Sequence, residues 1–278
     1  MYISAKLKAR WRHSLGCLSA ALLFSTFPTT GCHAQGTIID TVRYRFSYAI
    51  KGTLTETSKR QYDDELNVDI GDSVSYCYSR WQKDNDDLWS KVKASGGNAN
   101  DFLAQQGPTS LYNEEDLKHY PKRDNMSVIT FSYRYFLYSE KMPDMAWALE
   151  PGDTTIIGYP CKKATCTFRG RTWTAWYAMA IPIQDGPWKL GGLPGMILYA
   201  NDQKGQFSFT CIGIKANVNT PMEVNLKRTI KSTPLKVQRL KQLEESNYEA
   251  YSKAVGIKGI HYSVKSKPRV ACLKEYYR

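Results

Sequence analysis

Histidine is scarce in this sequence, and its scarcity excludes a large class of sites. Of the four histidines in the chain, only His119 and His261 lie beyond residue 34. Structural zinc sites take four ligands, chiefly cysteine and histidine. Cys161 and Cys166 have a spacing that metal sites use, but no second pair completes four ligands. The sequence therefore predicts no metal site and no cofactor.

Signatures of enzyme active sites are also absent. The sequence contains no G-x-S-x-G nucleophile elbow, no H-E-x-x-H helix and no P-loop. Neighbouring acids occur at residues 63–65 and 84–87, in turn-like or helix-start contexts. Carboxylates in such places commonly cap helices or face solvent. The residues thus indicate no catalytic group, and a non-catalytic protein is the favoured hypothesis.

Long apolar runs occur only at the N-terminus. Four basic residues and no acidic one accompany an apolar run from Leu15 to Phe27, which Pro28 follows. A basic region before an apolar run too short to span a bilayer is typical of a secretory signal. Residues 1–34 are therefore predicted to be a signal peptide. The protein is then exported to the periplasm or the outer membrane, without a transmembrane segment after cleavage.

Two processing sites fit the end of this signal. Cys32-His33-Ala34 places small residues at positions −3 and −1 before Gln35, as the ordinary signal peptidase requires. Residues 29–32 (Thr-Thr-Gly-Cys) also resemble a bacterial lipobox, but threonine stands where leucine is usual. Plain cleavage before Gln35 is the favoured prediction, and lipidation at Cys32 is the alternative.

Acidic residues are outnumbered, yet the basic excess is diffuse. The chain has 38 Lys and Arg against 26 Asp and Glu, a net charge of +12 that becomes +8 without the four cations of the signal. Only the C-terminal part, from Lys227 onward, leans clearly basic. Because no nucleic-acid-binding motif accompanies the charge, no nucleic-acid partner is predicted. A solvated surface, or weak attraction to anionic lipid or polysaccharide, explains the excess.

Five cysteines follow the signal: Cys77, Cys161, Cys166, Cys211 and Cys272. Export favours oxidation, and five cysteines allow at most two disulfides. If Cys161 and Cys166 lie on one strand, their side chains point to opposite faces and cannot pair with each other. The connectivity stays open.

Alternation of apolar and polar residues predicts a mainly β protein. In residues 42–50 every second residue is apolar, as in a half-buried strand of an antiparallel sheet. Tight turns are predicted at Gly71-Asp72 and at Gly170-Arg171. Residues 96–125 are polar and are predicted to be irregular. Further strands are predicted at 66–70, 73–80, 127–139, 154–160, 164–168, 172–182, 196–200 and 206–214.

Two segments have helical character. A short helix is predicted to begin near Asp86 and to end at Gly96. A longer helix has Thr233 as its N-cap and Pro234 at its first position, and Gly256 ends it. Apolar residues at helical spacing predict that one face of this longer helix packs on the sheet.

The predicted fold is a single β-rich domain of residues 35–278, of mainly β (α+β) class. It consists of one curved antiparallel sheet with one longer packing helix. This order of elements is similar to that of LolA-like envelope lipoprotein carriers, in which a sheet wraps around a helix.

Glycine and proline are concentrated in the stretch Gly186-Pro-Trp-Lys-Leu-Gly-Gly-Leu-Pro-Gly-Met-Ile-Leu198. Pro194 and Gly195 suit the central positions of a type II turn, in which glycine takes a positive φ. A short strand is predicted to leave this turn at Met196. The turn-forming residues of the motif are Gly186, Pro187, Gly192, Leu193, Pro194 and Gly195.

Residues 192–197, Gly-Leu-Pro-Gly-Met-Ile, resemble the signature of the GLPGLI family, secreted proteins of unknown function from Bacteroidota-type bacteria. Met196 stands where the family name has leucine. The resemblance covers about residues 156–198, and it implies export and a mainly β architecture but no particular chemistry. The other motifs that agree in order and spacing are Tyr159-Pro-Cys-Lys-Lys-Ala164, Phe168-Arg-Gly-Arg171, Trp173-Thr-Ala-Trp-Tyr177, Ile181-Pro182 and Gly186-Pro-Trp188.

A cluster of basic and aromatic residues is the candidate ligand- or partner-binding site. As a recognition surface, its aromatic rings supply rigid contact area and its cations meet carboxylate, phosphate or sugar groups. As structure, Trp173 packs in the core and Arg171 covers an apolar edge, and this interpretation is the favoured one. Alternation places Trp173 and Trp176 on opposite faces of one strand. The cluster consists of Lys162, Arg171, Trp173, Trp176, Tyr177, Trp188 and Lys189.

Three functional hypotheses follow. The first is a non-catalytic envelope protein that binds a hydrophobic or amphipathic ligand in the concave sheet, or an outer-membrane partner. The second is an envelope hydrolase whose acidic residues come from separate loops. The third is a structural assembly factor that contacts its partner through residues 188–195. A mostly apolar concavity favours the first, and two close carboxylates with one desolvated favour the second.

Overall fold

The computed structural model describes residues 36–56, 61–257 and 271–277. The predicted signal peptide, both of its processing sites and His261 lie outside the described residues. The helices are α1 (Arg80–Ala94), α2 (Ala99–Leu103), α3 (Pro234–Ser246) and α4 (Tyr248–Val255). None of them is both long and apolar enough to span a bilayer. The strands are β1 (Thr37–Thr53), β2 (Gln61–Ile70), β3 (Ser75–Ser79), β4 (Glu114–Lys118), β5 (Asn125–Ser132), β6 (Arg134–Lys141), β7 (Ala148–Ile156), β8 (Tyr159–Phe168), β9 (Arg171–Ala178), β10 (Met196–Asp202), β11 (Phe207–Val224) and β12 (Thr229–Lys231).

The strands form one large, open, curved sheet. Their order is β12-β6-β5-β4-β3-β2-β1-β11-β10-β9-β8-β7. The pairings between these described strands are antiparallel, except that β12 runs parallel to β6. The predicted β-dominant fold is therefore confirmed.

Strand β1 lies in the middle of the sheet, and the alternation of apolar and polar residues in 42–50 correctly predicts which of its side chains are buried. Phe46, Tyr48 and Ile50 are buried, as their spacing predicts. Tyr48 lies opposite Leu66 on β2 and Cys211 on β11, so the three side chains share one face of the sheet. We call this face the inner face.

Two groups of apolar residues cover the inner face. Around β8–β11 the core includes Trp173, Phe209 and Trp188, each with no exposed surface. At the other end of the sheet, Val237 and Leu240 of α3 pack against β5 and β6. Burial of each large apolar side chain contributes roughly 1.5–3 kcal/mol.

Two predicted strands are in fact hairpins. The strand predicted at 127–139 turns at Tyr133, whose φ is 59°, and becomes β5 and β6. The strand predicted at 154–160 crosses the turn at Ile157-Gly158 between β7 and β8. The prediction missed the turn at Tyr133 because the alternation of apolar residues continues across it. Phe131 before the turn and Tyr135 after it are directly paired, so both lie on the same face of the sheet.

The predicted helices are correct in position but not in extent. Helix α1 begins at Arg80, earlier than predicted, because Ser79 accepts the backbone N–H of Gln82 as its N-cap. The longer helix is two helices, since Asn247 ends α3 and caps α4. Its predicted ends, Thr233 and Gly256 with φ 79°, are confirmed.

The segment 96–125 is not irregular, and this prediction was wrong. It contains α2 and the central strand β4, whose residues Asp116, Leu117 and Lys118 are buried. Strand β4 pairs with β3 on one side and β5 on the other. Its charged composition hid it, because charged residues are rarely fully buried unless they are paired.

Candidate functional site

The glycine-rich loop between β9 and β10 folds onto the inner face. Trp188 adopts φ 54° and has no exposed surface. Its ring lies 5.3 Å from that of Trp173 and 6.1 Å from that of Phe168, centroid to centroid. The tryptophan of the motif is therefore part of the core.

The glycines of this loop do not form the predicted type II turn. The positive φ is at Gly192 (85°) and not at Gly195, whose N–H donates to the carbonyl of Leu193 at 2.8 Å. A Cβ on Gly195 would lie 2.2 Å from the carbonyl oxygen of Ala178. Gly195 is thus required because the backbone of the loop approaches the end of β9 closely.

Lys118 of β4 fixes the start of the loop. Its ammonium forms a buried ion pair with Asp185. It also donates to the carbonyl oxygens of Gly186 at 2.7 Å and Leu190 at 2.6 Å. These bonds satisfy all three donors of a fully buried lysine, which would otherwise be costly to desolvate.

Lys189, the next residue after Trp188, points into a cluster of acids and tyrosines. Its Nζ lies 2.5 Å from Glu140 Oε1 on β6 and 2.7 Å from the Tyr277 hydroxyl, and it also forms an ion pair with Glu275. Burial by itself lowers the pKa of Lys189, but the charges of Glu275, Tyr277 and Glu140 outweigh burial and raise it. The ammonium therefore stays protonated.

The β8–β9 turn brings two arginines to the same place. Arg169 (φ 42°) and Gly170 (φ 85°) form the two-residue turn of this hairpin, one residue before the predicted Gly170-Arg171, because Arg171 already pairs with Phe168. Arg169 binds Glu140 at 2.6 Å and Glu275 at 2.7 Å. Arg171 is buried, and it donates to Asp202 Oδ2 at 2.7 Å and to the carbonyl of Leu273 at 2.5 Å.

The chain's own C-terminal segment, residues 271–277, is what these cations contact. Its backbone donates to the body at three amides: Cys272 to Leu54 and Tyr276 to Arg169, both at 2.9 Å, and Tyr277 to Gln238 Oε1 at 2.6 Å. Lys274 lies 2.5 Å from Glu114 on β4. We call the residues of the body that hold this segment the clasp: Glu114, Glu140, Arg169, Arg171 and Lys189.

The clasp residue Glu114 forms an acid pair with Asp116. Glu114 and Asp116 alternate along β4 and so share its inner face. Lys241 and Lys274 outweigh the effect of burial and hold the pKa of Glu114 well below its usual range. Burial, and then the charge of Glu114, raise the pKa of Asp116 to about 7. Asp116 Oδ2 accepts from the Tyr112 hydroxyl at 3.0 Å, while its Oδ1 has no hydrogen-bond partner among the described residues.

The residues predicted as one binding cluster separate into two groups. Inside the protein, Trp173 and Tyr177 are core residues, as Trp188 is, and Arg171 and Lys189 belong to the clasp. Outside, Lys162 forms a 2.5 Å ion pair with the exposed Asp153. Trp176 is half-buried on the face of β9 opposite Trp173. The cluster is therefore not one recognition surface.

Sequence reasoning missed the partners of these residues. Glu114 and Asp116 were in the segment expected to be irregular, and the C-terminal tyrosines gave no pattern. Residues 114–118, Glu-Glu-Asp-Leu-Lys, show no alternation of charged and apolar residues that would have marked β4 as a buried strand. The acids at residues 63–65 were expected to cap a helix or face solvent. Asp64 is instead buried in β2, where the hydroxyls of Ser79 and Ser110 donate to it.

The five cysteines, among which at most two disulfides were considered possible, are all buried, free thiols. Cys161 and Cys166 both lie on β8. Burial, as the largest effect, raises the pKa of Cys77 to about 12 and that of Cys166 to about 12. Such thiols are protonated at neutral pH and poorly reactive. Within the described part of the chain, no group of three or more His, Cys, Asp or Glu side chains is arranged to hold a metal ion.

The loop and the β8–β9 turn coincide with a match to a known family. Residues 167–199 match the model of a family described as a protein of unknown function (Porph_ging). No curated protein matches the chain.

Two solved structures are similar to part of the chain. Both are of PNGF-II, in the P21 and C2 space groups, with 14% identity and TM-scores of 0.46 and 0.47. They align with 72% and 74% of this chain. The chain spans about one third of their length, 33% and 34%.

Proposed function

We propose that this chain is an exported protein of the bacterial cell envelope that binds an amphipathic ligand or an outer-membrane partner without catalysis. The observation that carries the proposal is the direction of the charged residues around the glycine-rich loop. Arg169, Arg171 and Lys189 point inward and hold an amphipathic segment that contains leucine and tyrosine. Buried cations beside aromatic rings are suited to binding such a segment.

Two features of the sequence support the envelope location. Residues 1–34 have the composition of a signal peptide, with cleavage before Gln35 or lipidation at Cys32. The resemblance of residues 192–197 to the GLPGLI signature implies export, and the Porph_ging match overlaps this stretch.

A hydrolase is the second candidate, and one observation favours it. Asp116 is a desolvated acid with a pKa near neutrality, next to a second carboxylate, as general acid–base catalysis requires. The cavity beside Glu114, however, has a volume of about 30 Å³. Asp116 does not line this cavity, so the candidate acid faces no space for a substrate there, and binding is the better-supported function.

Native mass spectrometry of the mature protein, purified gently from its own envelope, tests the proposal. We expect a reproducible adduct, either lipid-sized or a bound protein or peptide, that is lost on denaturation. The intact mass also distinguishes a chain that begins at Gln35 from one acylated at Cys32. A bare protein at its calculated mass in repeated preparations would contradict the binding function.

A further inference from the structure

We propose that the clasp is a peptide-binding site that the chain's own C-terminal segment occupies, and that a partner's segment replaces it. The partner segment carries adjacent lysine and glutamate residues followed by tyrosines. This inference rests on the proposed binding function and specifies its ligand. It follows from the charges of the clasp and from the way in which residues 271–277 lie on it.

The clasp has a positive subsite that the body of the protein leaves incompletely neutralised. Arg169 and Lys189 are two cations, and within the body both are paired with the same carboxylate, Glu140. Glu275 of the C-terminal segment supplies the second negative charge, at 2.7 Å from Arg169. Tyr277 adds its hydroxyl to Lys189, and the guanidinium of Arg169 lies 4.3 Å from the centre of its ring.

The adjacent subsite has two carboxyl groups but only one cation among the described residues of the body. Glu114 and Asp116 lie on the same face of β4, and Lys241 of α3 binds Glu114 at 2.5 Å. Lys274 of the segment brings a second cation, 2.5 Å from Glu114 and 3.9 Å from the centre of the Tyr112 ring. Lys274 lies at a bend of the segment and reaches Glu114, while the adjacent Glu275 reaches Arg169. The order Lys-Glu therefore fits the two subsites, whereas the order Glu-Lys places like charges together.

The segment is attached to the body in a way that allows replacement. It is not a strand of the twelve-stranded sheet, and residues 273–277 keep some exposed surface, 9% and 11% for the side chains of Lys274 and Glu275. Beneath it, the side chains of Arg171 and Lys189 have 1% and 0% of their surface exposed. The segment thus covers a site whose charges are already in place, so a competing peptide needs no rearrangement of the core.

Fluorescence anisotropy with a labelled peptide of residues 271–277 tests the proposal on the full-length chain. The receptor is a variant with a weakened segment of its own, Lys274→Ala, Glu275→Ala and Tyr277→Ala. We expect the peptide to bind this variant at least about tenfold more tightly than the unmodified chain, in which the attached segment competes at high effective concentration. A peptide with its lysine and glutamate exchanged should bind at least about tenfold more weakly. Equal binding of the two peptides, or no binding to a variant that keeps its near-ultraviolet circular dichroism, would overturn the proposal.

Hydrogen exchange of the unmodified chain tests replacement without any variant. The amides of Cys272 and Tyr276 should exchange through local opening, at least about 100-fold faster than the protected amides of β1. Exchange at the rate of the slowest β1 amides would show that the segment opens only with global unfolding, and the proposal would be wrong. That result would leave an envelope adduct in native mass spectrometry unaffected, and such an adduct would then be bound elsewhere on the protein.

Discussion

The buried and the exposed sides of the β8–β9 hairpin use the same residue types in opposite ways. Lys189, beside the turn, has no exposed side-chain surface, and its partner Glu140 is 10% exposed. Lys162 on β8 is also paired with an acid, Asp153, but these side chains are 55% and 75% exposed. An exposed ion pair adds little to the free energy of folding, because water solvates each charge almost as well as the partner does. A buried charge has lost its water, so the folded state is stable only if an opposite charge lies beside it. The difference shows that the surroundings of a charged residue decide its role.

The two tryptophans that best represent this contrast are Trp188 and Trp176. Trp188→Ala removes a fully buried ring that packs against Trp173, so we expect a loss of about 4 kcal/mol in the free energy of unfolding. Trp176→Ala removes a half-buried ring and should cost roughly 1 kcal/mol, as expected for a smaller buried area. Urea denaturation of the three chains measures both. Similar losses would mean that the two faces of β9 are equally packed, and the comparison would fail. A Trp188 variant that loses partner capture without losing stability would instead make the loop a contact surface.

Substitution of the buried Lys189 should likewise cost more stability than substitution of the exposed Lys162. Lys189→Met leaves Glu140 and Glu275 with one shared cation, Arg169, in place of two, which should cost about 3 kcal/mol. Lys162→Met should leave the melting temperature unchanged, because its ion pair is exposed.

A second substitution identifies the cause of this loss. Adding Glu275→Gln to Lys189→Met leaves a single acid, Glu140, for Arg169 to neutralise, so it should restore part of the lost stability. Thermal unfolding followed by circular dichroism compares the three variants. If the double variant is as unstable as the single one, the loss comes from packing rather than from unpaired charge.

The smallest expected effect is the pH dependence due to Asp116. Its folded-state pKa is raised to about 7, so the folded protein holds this proton more tightly than the unfolded chain does. The stabilisation is complete below the ordinary pKa of aspartate, about 3.9, and is lost as the pH rises through about 7. Asp116→Asn cannot ionise, so its stability relative to the unmodified chain should rise by about 1 kcal/mol or more between pH 5 and pH 8. Urea denaturation at both values measures this, with Asp153→Asn as the exposed control. If the difference in stability between Asp116→Asn and the unmodified chain is the same at pH 5 and pH 8, the side chain of Asp116 is solvated rather than buried.

Much of the fold was predictable because it depends on neighbouring residues. The alternation in 42–50 identified a central strand, and Gly170 identified the turn between β8 and β9. Strand β4 was not predictable, since its charged residues become buried only when Asp185, Tyr112 and Lys274 surround them. The break at Asn247 was missed because the apolar spacing continues on both sides of it.

The candidate site was predictable only in part. The residues singled out by their motifs include Arg171 and Lys189, and both belong to the clasp. Their partners Leu273 and Glu275 lie far along the chain, in a tail whose sequence has no pattern. A motif shows which residues are unusual, but not what they contact.

The sequence by itself determined the β-rich class, the ends of the late helix at Thr233 and Gly256, and the tight turn at Gly170, because short-range backbone preferences decide these features. The tertiary structure decided that Trp188 and Lys189 are buried, that β4 carries its acids inward, and that residues 271–277 cover them. Such choices depend on charge pairs and packing between residues distant in the chain. A buried charge is stable only where the fold places an opposite charge beside it, and no local pattern specifies that position.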